Sequence, residues 1–240
     1  MDTIPLRSIL PFNIQPYFKS YLHVKKGLYG NGIVPIIDLE PDTILTHFPL
    51  TNAPSIEQSK NNTMDDLDEV DQSSCATDLE TIETGEWLLD QVNLEKRSIY
   101  YKWIAQLPMS FNLFNQSIDI EYYDAIQTRN DKILQHYELF RSKHFTTRAT
   151  TMEQYEWAMS MVISRSYDVE GRRYLLPGLD FFNHCNDGDV NQVDVDIFEN
   201  TIYVLTSKRH VKMKELCINF SRLEKMPRKD SILQYGFGYL

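Results

Sequence analysis

Two groups of short strands stand near opposite ends of this chain with a long helical stretch between them, and that order constrains its fold more than any other feature. Near the start, residues 23–24, 33–37 and 43–48 read as strands punctuated by Gly27, Gly30, Gly32, Pro35 and Pro41. Toward the end, residues 193–198 alternate apolar and acidic side chains, Glu199-Asn200 has turn chemistry, and residues 201–206 alternate again. The pattern predicts a hairpin. A further short strand is expected over 216–220. Two glycines flanking one residue, Gly30-Asn31-Gly32, mark a tight turn or a place where backbone must approach a neighbour closely.

Between these groups the periodicity changes to that of helices. Residues 86–107 carry Trp87, Leu88, Val92, Leu94, Ile99, Tyr100, Trp103, Ile104 and Leu107 at mostly three- and four-residue spacing, and Pro108 ends the run. A more polar helix is expected over 117–142. A third, over 152–166, opens on a Thr151-x-x-Gln154 capping box and presents Tyr155, Ala158, Met159, Val162 and Ile163 on one face. The strand–helix–strand order implies an α+β domain over 21–240 whose two β portions meet in space, with 86–170 as a helical insertion and 1–20 as an N-terminal extension.

The 240 residues, 42% hydrophobic and 24% charged, suffice for a sizeable core. The net charge of −10 first argues against nucleic acid as a direct partner. It is unevenly placed: residues 61–95 hold eleven carboxylates and no Lys or Arg, so the other 205 residues sum to +1. Residues 51–85, poor in apolar side chains, read as an acidic mobile loop. Cys75, Cys185 and Cys217 are too few and too scattered for a disulfide framework or a zinc site, so free thiols are expected. No run reaches the roughly eighteen apolar residues of a membrane span, and no secretory cleavage pattern follows the apolar start. The expectation is a cytosolic or nuclear protein that does not bind membranes.

Two clusters could carry chemistry. Residues 176–186, Leu-Pro-Gly-Leu-Asp-Phe-Phe-Asn-His-Cys-Asn, bring a carboxylate, an amide, an imidazole and a thiol together beside aromatics. A structural turn is one reading. A metal is disfavoured, since no second histidine or acid sits at ligand spacing. A Cys-His nucleophile is disfavoured too, because Cys185 and His184 are adjacent and no separate orienting group can be named. The second cluster, Glu215-Leu216-Cys217-Ile218-Asn219-Phe220-Ser221 with Tyr235-Gly236-Phe237-Gly238-Tyr239, reads as core aromatics or as an aromatic channel able to strip water from an amine.

These clusters, with Gly30-Asn31-Gly32-Ile33-Val34 and the Trp157-Ala158 to Ser164-Arg165 helix, fall in the order and spacing of the SET-domain methyltransferases. The chain resembles the branch typified by Rubisco large-subunit lysine methyltransferase, which also contains ribosomal-protein and actin-histidine methyltransferases. Its GxG-L-V, W-A-x-x-x-V-x-S-R, V-P-x-x-D-x-x-N-H and L-x-Y-G-F elements are similar to residues 30–34, 157–165, 176–184 and 233–237. The resemblance implies a SET-domain β-clip of short strands with an inserted helical lobe, here lacking the C-terminal substrate-binding helical lobe.

It also implies S-adenosylmethionine as cofactor and a protein substrate, ribosomal or translation-related proteins among the candidates. Gly30, Asn31, Gly32, Leu45, Ser164, Arg165, Asn183, His184 and Phe220 would contact the cofactor. Asp180, Phe220 and Tyr235 would serve the substrate channel, Asp180 by ordering its loop or by receiving the substrate. The Tyr235 hydroxyl would be catalytic, positioning a lysine amine, with histidine a secondary target. Three positions depart from the family pattern. Phe220-Ser221 stands where a tyrosine and glycine are usual, Asp42-Thr43 where a Gly-Glu pair supplies a carboxylate to the cofactor, and Arg228 where an asparagine is usual. The alternative is a catalytically weak or inactive SET module that binds cofactor or a protein partner.

Overall fold

In a computed structural model, the described residues are 3–27, 30–54, 72–109, 127–138 except 129, 132 and 136, 151–169, 172–185 and 188–219. The first β portion begins earlier than the sequence suggests. Strand β1 (Thr3–Pro5) pairs antiparallel with β2 (Leu22–Gly27), which pairs with β3 (Gly30–Pro35) to complete a three-stranded sheet. The short helix α1 (Leu6–Ile9) follows β1, and Leu6, Ile9, Leu10, Ile14 and Phe18 are all buried. These five side chains of the N-terminal segment join the hydrophobic core.

A second sheet has the order β4-β9-β8-β10-β7, from β4 (Ile44–Pro49), β7 (Asn183–His184), β8 (Gln192–Phe198), β9 (Thr201–Leu205) and β10 (Cys217–Ile218). The expected hairpin is present as β8 and β9, with Glu199 and Asn200 both at positive φ, the geometry of a tight primed turn. Strands β7 and β8 run parallel to β10 on either side of it. The two β portions do meet: β4 from the first pairs with β9 from the second, and Ile33 bridges Leu216. A third ladder, β5 (Ser166–Val169) with β6 (Arg172–Leu175), follows the last helix.

The helical insertion differs from its sequence reading in two places. Helix α2 (Gln72–Leu94) starts well inside the expected loop, so residues 72–85 are helical, while 55–71 lie outside the described residues. Packing explains this better than composition does. Ile82, Leu88 and Leu89 are buried, and a Cβ at Gly85 would meet the end of the Met159 side chain, so the glycine lets α2 lie close against helix α4 (Met152–Arg165). The run expected over 86–107 is also broken. Helix α2 stops at Leu94, Glu95 adopts a positive φ, and α3 (Tyr101–Ile104) resumes after a turn in which the Ser98 hydroxyl accepts from the Tyr100 amide. Helix α4 matches its reading: Thr151 Oγ1 accepts from the Gln154 amide while the Gln154 side chain accepts from the Thr151 amide. The helix expected over 117–142 is helical where described, between 127 and 138.

The expectation of three free thiols is corrected. Cys185, just after β7, and Cys217, which opens β10, are disulfide-bonded with a Cα–Cα distance of 5.6 Å. Sequence spacing missed the pair because the two cysteines lie 32 residues apart and are brought together only when Cys217 pairs with the strand before Cys185. A link closing a loop of that size stabilises by about 3–4 kcal/mol in the chain-entropy picture. None of the described helices is long and apolar enough to cross a membrane. Alkylation of the denatured chain without reductant should label one cysteine, read by intact mass, and three after reduction.

Candidate functional site

The segment 176–185 is organised around a buried carboxylate. Gly178 adopts φ 100°, where glycine is favoured, and a Cβ there would meet Phe18 Cζ at 2.6 Å. This turn lets the Gly178 amide donate to Asp180 Oδ1 at 2.8 Å. The Trp103 indole N–H from α3 lies 3.1 Å from both carboxylate oxygens. From the last turn of α4, Arg165 Nη1 donates to the Asp180 carbonyl at 2.8 Å and lies 3.7 Å from Oδ2. Tyr167 adds a hydroxyl that donates to the Leu179 carbonyl. One carboxylate thus ties together α3, α4 and the loop before β7.

Burial pushes the Asp180 carboxyl up to about 6, against the opposing pull of Arg165, Gly178 and Trp103. Its side chain has no solvent exposure. Both oxygens are turned inward to donors, an arrangement that orders the loop before β7. Because the folded state holds the proton more tightly than the unfolded chain, this group lowers stability as pH rises from about 4 to about 6 and adds no slope outside that window. The change amounts to about 3 kcal/mol.

Two of the sequence-expected cofactor residues, Gly32 and Asn183, meet at the seam between the sheets through Glu215. Gly30-Asn31-Gly32 is not a turn: it is the first half of β3, in register with Lys25, Lys26 and Gly27. The close-approach reading holds instead. A Cβ at Gly32 would lie 2.5 Å from Glu215 Cδ, so a carboxylate occupies the space beside the glycine. Asn183 Nδ2 donates to Glu215 Oε1 at 2.6 Å, joining β7 to the same point. The seam is fixed by backbone bonds from the Leu216 amide to the Ile33 carbonyl and from the Cys185 amide to the Ile218 carbonyl. The Asn31 side chain reaches the other way and donates to the Gln106 carbonyl at 2.8 Å, so β3 is also tied to the end of the α3 segment.

His184 is half buried, and burial pushes its imidazole down to about 4, which keeps it neutral near pH 7. The Arg165 guanidinium leaves its Nε buried and without a partner among the described residues. Ser164 donates to the Ser160 carbonyl within α4, leaving its hydroxyl oxygen as an acceptor. Leu45 is buried and its carbonyl accepts from the Lys19 amide, so that carbonyl serves the fold. Phe220 and Tyr235 lie outside the described residues. Sequence reasoning passed over Trp103, read as helix core, and Glu215, read as part of an aromatic cluster. The only sequence signal for Glu215 is its place directly before a strand that must run beside the GxG glycines. No group of His, Cys, Asp and Glu among the described residues could hold a metal ion.

Neither a protein-family model nor a curated protein matches this sequence. The fold does have solved counterparts. It superposes on the SET domain of LSMT bound to lysine and AdoHcy with a TM-score of 0.62 at 12% identity, covering 95% of this chain and 55% of that one. It superposes on Rubisco LSMT bound to AdoMet with a TM-score of 0.66 at 12% identity, covering 92% and 52%. With Rubisco LSMT bound to sinefungin and monomethyllysine the TM-score is 0.60 at 13% identity, covering 91% and 52%. The chain has the SET-domain fold, and it spans about half the length of these solved chains.

Two substitutions test the buried carboxylate. Trp103→Phe should cost about 1–3 kcal/mol in chemical denaturation, because a buried acceptor loses its donor. Asp180→Asn should remove the acid-range slope: the stability of the unsubstituted chain relative to the variant should fall between pH 4 and 6 and stay level from 6 to 8.

Proposed function

We propose that this chain is an S-adenosylmethionine-dependent protein methyltransferase acting on lysine side chains. The support for the proposal is the meeting, within a SET-domain fold, of Gly32 and Asn183 on Glu215, with Arg165 held by Asp180 three residues before Asn183. The solved chains that share the fold hold AdoMet, AdoHcy or sinefungin, two of them with lysine or methyllysine. The donor set here fits that cofactor. Arg165 has a buried guanidinium nitrogen without a partner among the described residues, and its planar fork suits a carboxylate.

When bound, the cofactor supplies a sulfonium methyl group open to in-line displacement by an amine. The rest falls to the chain. Arg165, already oriented by the Asp180 carbonyl, would hold the amino-acid carboxylate. Asn183 and neutral His184 would present hydrogen-bonding groups to the amino-acid and adenine portions, and Ser164 would offer its hydroxyl oxygen. A free lysine has a pKa of about 10.4, so the site must favour its uncharged form. A poorly hydrated aromatic channel does so by raising the cost of charge, and Phe220 would supply a ring in that role. The Tyr235 hydroxyl would aim the amine at the methyl carbon, contributing by proximity. A protein whose exposed lysine can enter the channel is the substrate this chemistry fits, with ribosomal and translation-related proteins as first candidates.

Incubating a cell extract with the chain and isotopically labelled S-adenosylmethionine, then reading peptides by mass spectrometry, should find label on lysine of at least one protein. An extract without transferred label above that given by heat-inactivated chain would contradict the proposal. Arg165→Lys, which keeps the charge beside Asp180 but loses the fork, should weaken cofactor binding in calorimetry by about tenfold. Phe220→Tyr, which adds a hydroxyl to the channel, should raise the rate of transfer of the label.

A further inference from the structure

Glu215 is half buried at the seam, against Gly32 on one side and Asn183 on the other. Among the described residues no Lys, Arg or His forms an ion pair with it. A partly desolvated carboxylate without a cation is costly unless a ligand supplies one. Asn183 engages Oε1, and no hydrogen bond to Oε2 is found among the described residues.

The position where the SET resemblance expects a cofactor-binding carboxylate does not supply one. Asp42 is exposed in a turn at φ 60°, with its amide donating to the Thr206 carbonyl. Thr43 donates its hydroxyl to the Glu40 carbonyl and its amide to Thr206 Oγ1. Both residues are committed to the Glu40–Thr206 corner.

We propose that the Glu215 carboxylate is a cofactor-binding group that receives the α-ammonium of the amino-acid portion, supplying from the lead-in to β10 the negative charge that Asp42-Thr43 do not provide. The inference rests on the methyltransferase reading above. The amino-acid portion is a zwitterion, and the site offers a complement to each end: Arg165 for the carboxylate and Glu215 for the ammonium. Asn183 positions Glu215 and does not itself need to meet the charge.

The test compares two ligands by calorimetry on the full chain: S-adenosylhomocysteine, which carries the ammonium, and 5′-methylthioadenosine, which lacks the whole amino-acid portion. Glu215→Gln keeps an oxygen for Asn183 and changes only the charge. It should weaken S-adenosylhomocysteine binding on the order of 10- to 100-fold and leave methylthioadenosine binding within about twofold. Glu215→Asp, which keeps charge but shortens reach, should fall between, and it serves in place of the glutamine variant if that variant's thermal midpoint shows it has not folded. Equal affinities for S-adenosylhomocysteine in the folded variant and the unsubstituted chain would overturn the assignment, as would equal losses for both ligands. If the unsubstituted chain binds neither ligand, the methyltransferase reading itself fails, an outcome distinct from either of these.

Discussion

The buried Asp180 carboxylate is the constraint on which the rest of the site depends. Taking a carboxylate out of water is expensive, and the fold meets that cost with donors from three separate parts of the chain: the Trp103 indole, the Gly178 amide and the Arg165 guanidinium. Each donor belongs to a different element, so satisfying one charge fixes α3, the turn before β7 and the end of α4 relative to one another. The same arrangement orients Arg165 through the Asp180 carbonyl, leaving its Nε for another acceptor. A residue whose side chain is shielded from solvent thus decides where the Arg165 side chain points.

The second constraint is backbone pairing at the seam. Leu216 bonds to Ile33, and Cys217 lies beside Asn183 in β7, so three segments distant in sequence meet within a few residues. The disulfide from Cys185 to Cys217 closes the same seam covalently. A Cβ at position 32 would meet the end of the Glu215 side chain, so the glycine lets that carboxylate lie against β3. Fold and site are therefore the same contacts seen from two sides: the pairing that joins the β portions also sets Gly32, Asn183 and Glu215 against each other.

Local signals in the sequence were the reliable ones. The β8–β9 hairpin was legible because its period of two and its Glu199-Asn200 turn are both written within a dozen residues. The start of α4 was legible because a capping box is a four-residue motif. What escaped were features decided by partners far along the chain. Strand β1 has three residues and reads as strand only beside β2. The acid-rich start of α2 reads as a loop until Gly85 is seen against Met159. Trp103 and Asp180 are 77 residues apart, and no periodicity announces that an indole in an apolar helix is there for its N–H. The motif resemblance supplied the order of the site pieces, whereas Glu215 emerged only from the packing beside Gly32.

The central claim is that the seam between Gly30–Gly32 and Asn183-His184 is a cofactor cleft. A crystal structure of the chain grown with S-adenosylhomocysteine tests it most directly. The account predicts ligand density along Gly30–Gly32, with its carboxylate within hydrogen-bonding distance of Arg165 and its amino-acid end beside Glu215. Density bound elsewhere, or a seam closed by side chains at saturating ligand, would contradict it.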